Sequence, residues 1–192
     1  MPSVQRCRSH QFISMDNRED ENKMIYFTSD MHLGHKNIIE YSNRPFKHVD
    51  EMDYEIIKRF NSVVKPTDTV YDLGDTFFRH TDEYLRAFCC PLIRIKGSHD
   101  HGIDAPYMRI ITALADNGNA VKIILCHYAM RSWEASHYGS WHLFGHHHGK
   151  LEPYGLSFDV GVDSWNFYPV SINQVAEKMA TLKPIVDFRK EK

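Results

Sequence analysis

Five short apolar runs in this chain each end abruptly in a cluster of aspartate, histidine or glycine, and that recurrence limits the possible folds sharply. Met24 to Ser29 (MIYFTS) runs into Asp30-Met31-His32, and Thr69 to Leu73 (TVYDL) runs into Gly74-Asp75. Leu92 to Lys96 (LIRIK) leads to Gly97-Ser98-His99-Asp100, and Val121 to Cys126 (VKIILC) stops at His127. Trp141 to Gly145 (WHLFG) opens onto His146-His147-His148-Gly149. Apolar runs of this length, bounded by turn residues, read as buried strands. In α/β sheets, ligands bind in the crevice beyond the carboxyl ends of strands. Five such ends brought together would gather these polar groups into one site.

Helical patterning fills the gaps between the early strands. Glu51 to Val64 carries Met52, Ile56, Phe60 and Val63 at helical spacing, with Asp50 placed as N-cap and Lys65-Pro66 as the stop. Thr81 to Cys90 reads as a helix ended by Pro91. Ile110 to Ala115 fits helix or strand equally, but Asp116-Asn117-Gly118-Asn119 is a strong turn signal and favours a hairpin with the strand that follows. Leu156 to Val160 and Tyr168 to Ser171 read as further strands, with Ser171 capping a last helix through Met179. Strands alternating with helices, followed by consecutive strands, predict an α/β protein with mixed sheets.

Composition narrows the function classes. The 192 residues suit one domain, and 42% hydrophobic with 25% charged residues is ordinary for a soluble globular protein. A formal net charge of −2 supplies no large basic field, so long nucleic acid is not favoured as a partner. The four cysteines contain no CxxC pair and read as reduced thiols. Residues 1–23 are polar and aperiodic and read as a flexible extension, with the domain over 24–192. They lack the apolar core of a secretory signal, and no apolar run is long enough to span a bilayer, so the cytoplasm is the expected location.

Histidine is the compositional anomaly, with 13 residues, many of them at the strand ends. Side chains at i and i+2 of an extended segment point the same way, so Asp30 with His32 and His146 with His148 are expected as two pairs of claws. Carboxylates and imidazoles without thiolates suit Mn, Fe, Co, Ni or Zn better than Ca or Mg. Six strong ligands are too many for one catalytic ion that must keep an open position. Two ions sharing a carboxylate would use them all, and paired metals clamp the attacking and leaving oxygens of a phosphoryl displacement.

This ordered set resembles the calcineurin-like metallophosphoesterase superfamily, whose signature runs DxH, GD, GNH followed by D or E, a strand-terminal His, and GHxH. The matching residues are Asp30-Met31-His32, Gly74-Asp75, Gly97-Ser98-His99-Asp100, His127 and Gly145-His146-His147-His148. The stretch from Cys126 to Trp133 is similar to the small bacterial and phage branch that lacks a cap domain. The resemblance implies a four-layer sandwich of two mixed β-sheets flanked by helices. It implies two divalent transition-metal ions, manganese first among them, with Asp30, His32 and His148 on one, His127 and His146 on the other, and Asp75 bridging. It further implies His99 near the phosphate, stabilising charge or protonating the leaving oxygen, and a hydroxide on the metals as nucleophile. The family's asparagine, a ligand of the second ion, is here Ser98, which implies a more weakly held second ion and reduced turnover.

Around that centre, His35, Arg44 and Arg131 are candidates to face the phosphate from neighbouring loops, and Asp100 either orients His99 or caps a turn. The expected reaction is hydrolysis of a small or nucleotide-like phosphodiester or phosphomonoester. The alternatives are a nuclease or nucleic-acid end phosphatase, and a weakened or non-catalytic scaffold of the same fold.

Overall fold

The structure, a computed structural model, describes residues 23–78, 82–114, 118 and 120–185. The expected extension up to residue 22 and the turn residues Asp116, Asn117 and Asn119 lie outside them. The chain runs β1 (Ile25–Thr28), α1 (Ile38–Tyr41), α2 (Val49–Val63), β2 (Thr69–Asp72), α3 (Asp82–Ala87), β3 (Leu92–Arg94), β4 (Met108–Leu114), β5 (Ala120–Cys126), β6 (Trp141–Phe144), β7 (Ser157–Asp159), β8 (Val170–Ser171) and α4 (Ile172–Ala180).

Two mixed four-stranded sheets result. The first has the order β3-β2-β1-β8, with β1, β2 and β3 parallel and β8 antiparallel at the edge. The second has the order β4-β5-β6-β7, with β4 antiparallel to β5 and the rest parallel. Strand alternation divides the first sheet's side chains between two cores. Tyr26 and Val70 pack with Met52, Ile56 and Phe60 of α2. Phe27 and Tyr71 instead join Ile123, Leu125, Leu143 and Phe158 of the second sheet. α4 adds Ile172, Val175 and Met179 to that inter-sheet core, and its N-terminus carries a full capping box between Ser171 and Gln174. The architecture is an α/β fold of two mixed sheets with flanking helices, as the sequence pattern predicts.

One local reading needs correction, and one open reading is decided in favour of the expected hairpin. The N-cap of α2 is His48, without a side-chain cap bond, rather than Asp50. Asp50 and Glu51 fall inside the first turn, where carboxylates favour the positive end of the helix, and Glu51 accepts the Lys47 backbone N–H at 2.9 Å. The ambiguous segment at Ile110 is β4, an edge strand that exposes Met108, Ile110 and Leu114. Ile111 and Ala113 face the inter-sheet core, but apolar residues stand on both faces, which is why periodicity alone left the segment undecided.

Candidate metal centre

The site forms where loops leaving both sheets are stitched together by backbone hydrogen bonds. The N–H groups of Asp30 and His32 donate to the carbonyls of Gly74 and Asp75, each at 2.9 Å, so the segments after the parallel strands β1 and β2 run side by side. Within the second sheet the Gly145 N–H donates to the His127 carbonyl at 3.0 Å, and the two sheets join through the His146 N–H, which donates to Asp30 Oδ2 at 2.9 Å. Close approach explains the glycines. A Cβ on Gly97 would enter the Asp75 side chain, and one on Gly145 would enter Ser29 and Asp30.

Asp30 and His32 are not extended, as the claw reading assumed. Asp30, His32, Asp75, His146 and His148 have φ of 57°, 52°, 54°, 69° and 50°, in the left-handed region. These are five of the nine non-glycine residues with positive φ among the described residues. Such conformations cost about 1–3 kcal/mol each and collect at functional sites. The claws are also distributed differently. Asp30 and His32 come together with His148, whereas His146 joins Asp75 and His127, and within each triad the ligand atoms lie within 4.8 Å of one another.

Asp75 lies between the triads. Its Oδ2 is 3.3 Å from His127 Nε2 and 3.9 Å from His32 Nε2, and His32 Nε2 is 4.0 Å from Asp30 Oδ1. The rings of His32 and His148 are 5.2 Å apart, and those of His127 and His146 are 5.1 Å apart. His127 Nδ1 bonds the Leu73 carbonyl at 3.0 Å, which leaves Nε2 free to ligate.

Buried polar atoms normally find a partner, yet Asp30 Oδ1, both ring nitrogens of His32, and His127 Nε2 have no hydrogen-bond partner among the described residues. The electrostatics show the same deficit. Burial pushes the Asp30 carboxyl up to about 7, against the opposing charges of His127 and His148. Burial pushes His32 down to about 3. Burial also opposes ionisation of Asp75, but the imidazole of His127 close beside it, helped by the His99 N–H and the Ser98 hydroxyl, holds its carboxyl well below the usual range. A cation would satisfy the orphaned atoms and favour the carboxylate and neutral imidazole forms together. The donor set is three carboxylate- or imidazole-bearing residues per ion, which fits a divalent transition metal.

A cavity of about 240 Å³ opens over the triads, walled by His35, His99, Tyr41, Ser42 and Lys150 beside the ligand residues. His99 is exposed, with its ring 5.5 Å from that of His32. His35 stacks on Phe78 at 4.1 Å between ring centroids. Ser98 lies outside both triads and donates its hydroxyl to Asp75 Oδ2 at 2.8 Å.

Two expected roles are not seen, and the open choice for Asp100 is decided. Arg44 does not face the cavity. It is buried, and its guanidinium bonds Asp163, the carbonyls of Asp30 and Met31, and Met52 Sδ. Arg131 is over the Tyr154 ring at 5.8 Å and does not wall the cavity. Asp100 does not orient His99. Its Oδ2 accepts the N–H groups of Asp75 and Gly97, each at 2.8 Å, and Arg94 bonds its other oxygen, so it caps the turn. Sequence reasoning missed Asp163, whose Oδ2 is 2.7 Å from His148 Nδ1. The only sequence signal is positional: Asp163 stands four residues beyond Asp159, the last residue of β7, in another segment that leaves a strand end.

No family model matches the chain. The structure of the protein of unknown function AQ665 from Aquifex aeolicus superposes with a TM-score of 0.63 at 23% identity, covering 82% of this chain and 100% of that one, so the two share a fold. A conserved uncharacterized protein of Streptococcus pneumoniae, described as a predicted phosphoesterase, superposes more loosely, with a TM-score of 0.38 at 17% identity over 72% of this chain and 71% of that one. The uncharacterized protein MJ1445 of Methanocaldococcus jannaschii is 33% identical over 181 residues, which cover 86% of this chain and 98% of that protein. The chain belongs to the same family as this archaeal protein.

Proposed function

We propose that the protein hydrolyses small phosphate esters with two divalent transition-metal ions, manganese first among the candidates. The observation that carries this reading is the pair of three-residue triads joined through Asp75 Oδ2. Asp30, His32 and His148 would hold one ion, His127 and His146 the other, and Asp75 would bridge. When bound, paired cations supply Lewis acidity for an in-line phosphoryl displacement.

The remaining residues orient the centre and receive the substrate. The Ser98 hydroxyl and the His99 backbone N–H each grip one oxygen of Asp75, at 2.8 Å and 2.7 Å, and so hold its carboxylate in the bridging orientation. The exposed His99 imidazole stands at the cavity wall, where it can give a proton to the leaving oxygen or stabilise charge on it. His35 and Lys150 add polar groups to the wall, and the modest volume suits a small phosphodiester or phosphomonoester.

The test is to measure bound metal in purified protein and to assay an aryl phosphodiester and monoester with Mn²⁺, Ni²⁺ or Zn²⁺. Metal-dependent turnover is expected. A folded preparation that holds two ions and turns over no ester would instead favour a non-catalytic scaffold.

A further inference from the structure

We infer that Asp163, gripped by Arg44, is a positioning residue that sets His148 for the first ion; the inference rests on the metal-centre reading above. Asp163 belongs to the 3-10 turn Val162–Ser164 that follows β7. Its Oδ2 is 2.7 Å from His148 Nδ1, and Arg44 holds both carboxylate oxygens, through Nε at 2.9 Å and Nη2 at 2.8 Å. The Arg44 side chain is fully shielded from solvent and that of Asp163 is 9% exposed.

The same guanidinium reaches the other side of the triad. Arg44 Nη2 donates to the Asp30 carbonyl at 2.7 Å, and Nη1 donates to the Met31 carbonyl at 2.9 Å. Asp30 follows the first sheet and His148 the second, and both hold left-handed backbone angles. One buried arginine therefore fixes the Asp30 turn directly and the His148 ring through Asp163.

The consequence for His148 is tautomeric. A carboxylate at Nδ1 requires the proton there, so Nε2 keeps its lone pair and is the nitrogen available to the triad with Asp30 and His32. The carboxylate also fixes the ring's rotation and makes the imidazole a stronger donor. The other triad lacks this device, because His127 Nδ1 bonds the neutral Leu73 carbonyl. Loss of the Asp163 charge should therefore weaken one ion and spare the other. Disturbing the Asp30 turn through Arg44 would also weaken the first ion, so the His148 tautomer is the readout that a purely structural ion pair would not set.

The experiment titrates Mn²⁺ into metal-free wild type and Asp163→Asn by calorimetry, with ring ¹⁵N NMR of His148 in mildly alkaline buffer. Wild type should show His148 as the Nδ1–H tautomer and bind two ions. In Asp163→Asn one ion should weaken roughly ten- to hundredfold, and with diamagnetic Zn²⁺ in place of Mn²⁺ the ring nitrogens of His127 should keep their coordination shift while those of His148 lose it. Unchanged affinities, equal weakening of both ions, or an Nε2–H tautomer in wild type would overturn the inference. If Asp163→Asn does not fold, the wild-type tautomer decides. Wild type that binds no Mn²⁺ would sink the metal-centre reading itself, a result distinct from two ions bound equally by wild type and variant.

Discussion

The hydroxyl of Ser98 donates to Oδ2 of Asp75, the same oxygen that points toward His127 and His32. A side chain that resembles the family's pattern would be asparagine here, long enough for its amide oxygen to reach the second ion. Ser98 instead donates its one proton to Asp75, the carboxylate proposed to bridge. Ser98→Asn should therefore tighten the second ion, by about tenfold or more on the scale of ligand-shell changes, and raise turnover. Metal titration and rate measurements check this, and identical values in both proteins would refute it.

Asp75 Oδ2 lies 3.3 Å from His127 of its own triad and 3.9 Å from His32 of the other. Asp75→Ala should abolish paired metal binding and hydrolysis while circular dichroism shows an intact fold. A variant that kept two ions and full rate would remove the bridging role.

His99 lies outside both triads, and only its backbone N–H contacts Asp75. His99→Ala should leave metal content unchanged and lower kcat by about 10²–10⁴-fold, the usual range for losing a proton donor. The loss should be larger for alkyl than for aryl leaving groups, since a good leaving group needs less protonation. Equal losses across such a series would argue against proton donation.

Metal removal should destabilise the protein. A bound cation would satisfy the orphaned atoms of Asp30, His32 and His127, so its binding energy would add to folding energy. At a free ion concentration of about 100 Kd, the added stability is about 2.7 kcal/mol per independent site. Thermal unfolding with and without chelator measures it, and an unchanged Tm would contradict the site.

Gly97→Ala tests the packing beneath the centre. Its Cβ would collide with Asp75, so a loss of about 1–3 kcal/mol is expected, together with weaker metal binding. Denaturant unfolding and metal titration report the two effects separately. A neutral substitution would show that the turn can relax.

The two mixed sheets were legible because apolar strand runs and polar strand ends are local patterns, and β1, β2, β5 and β6 fall where those patterns place them. What the pattern could not supply was the third dimension. Arg44 looks like a phosphate ligand because its partner, Asp163, is 119 residues away. Asp30 and His32 look extended because left-handed angles at aspartate and histidine leave no mark in the sequence. β4 stayed ambiguous because an exposed edge strand relaxes the demand for alternation. Asp163 went unremarked because a lone aspartate after Gly-Val has no motif, only a position.

Left-handed backbone at five ligand positions bears on any attempt to transplant this centre. An engineer who copied the side chains onto regular strand tails of another scaffold would aim them elsewhere, since direction here is set by the turns. Valine or isoleucine scanning across those positions would likewise confound lost chemistry with a backbone that β-branched residues resist. The transferable unit is the set of hairpin-tight turns with their glycine neighbours, and the ligands travel only with it.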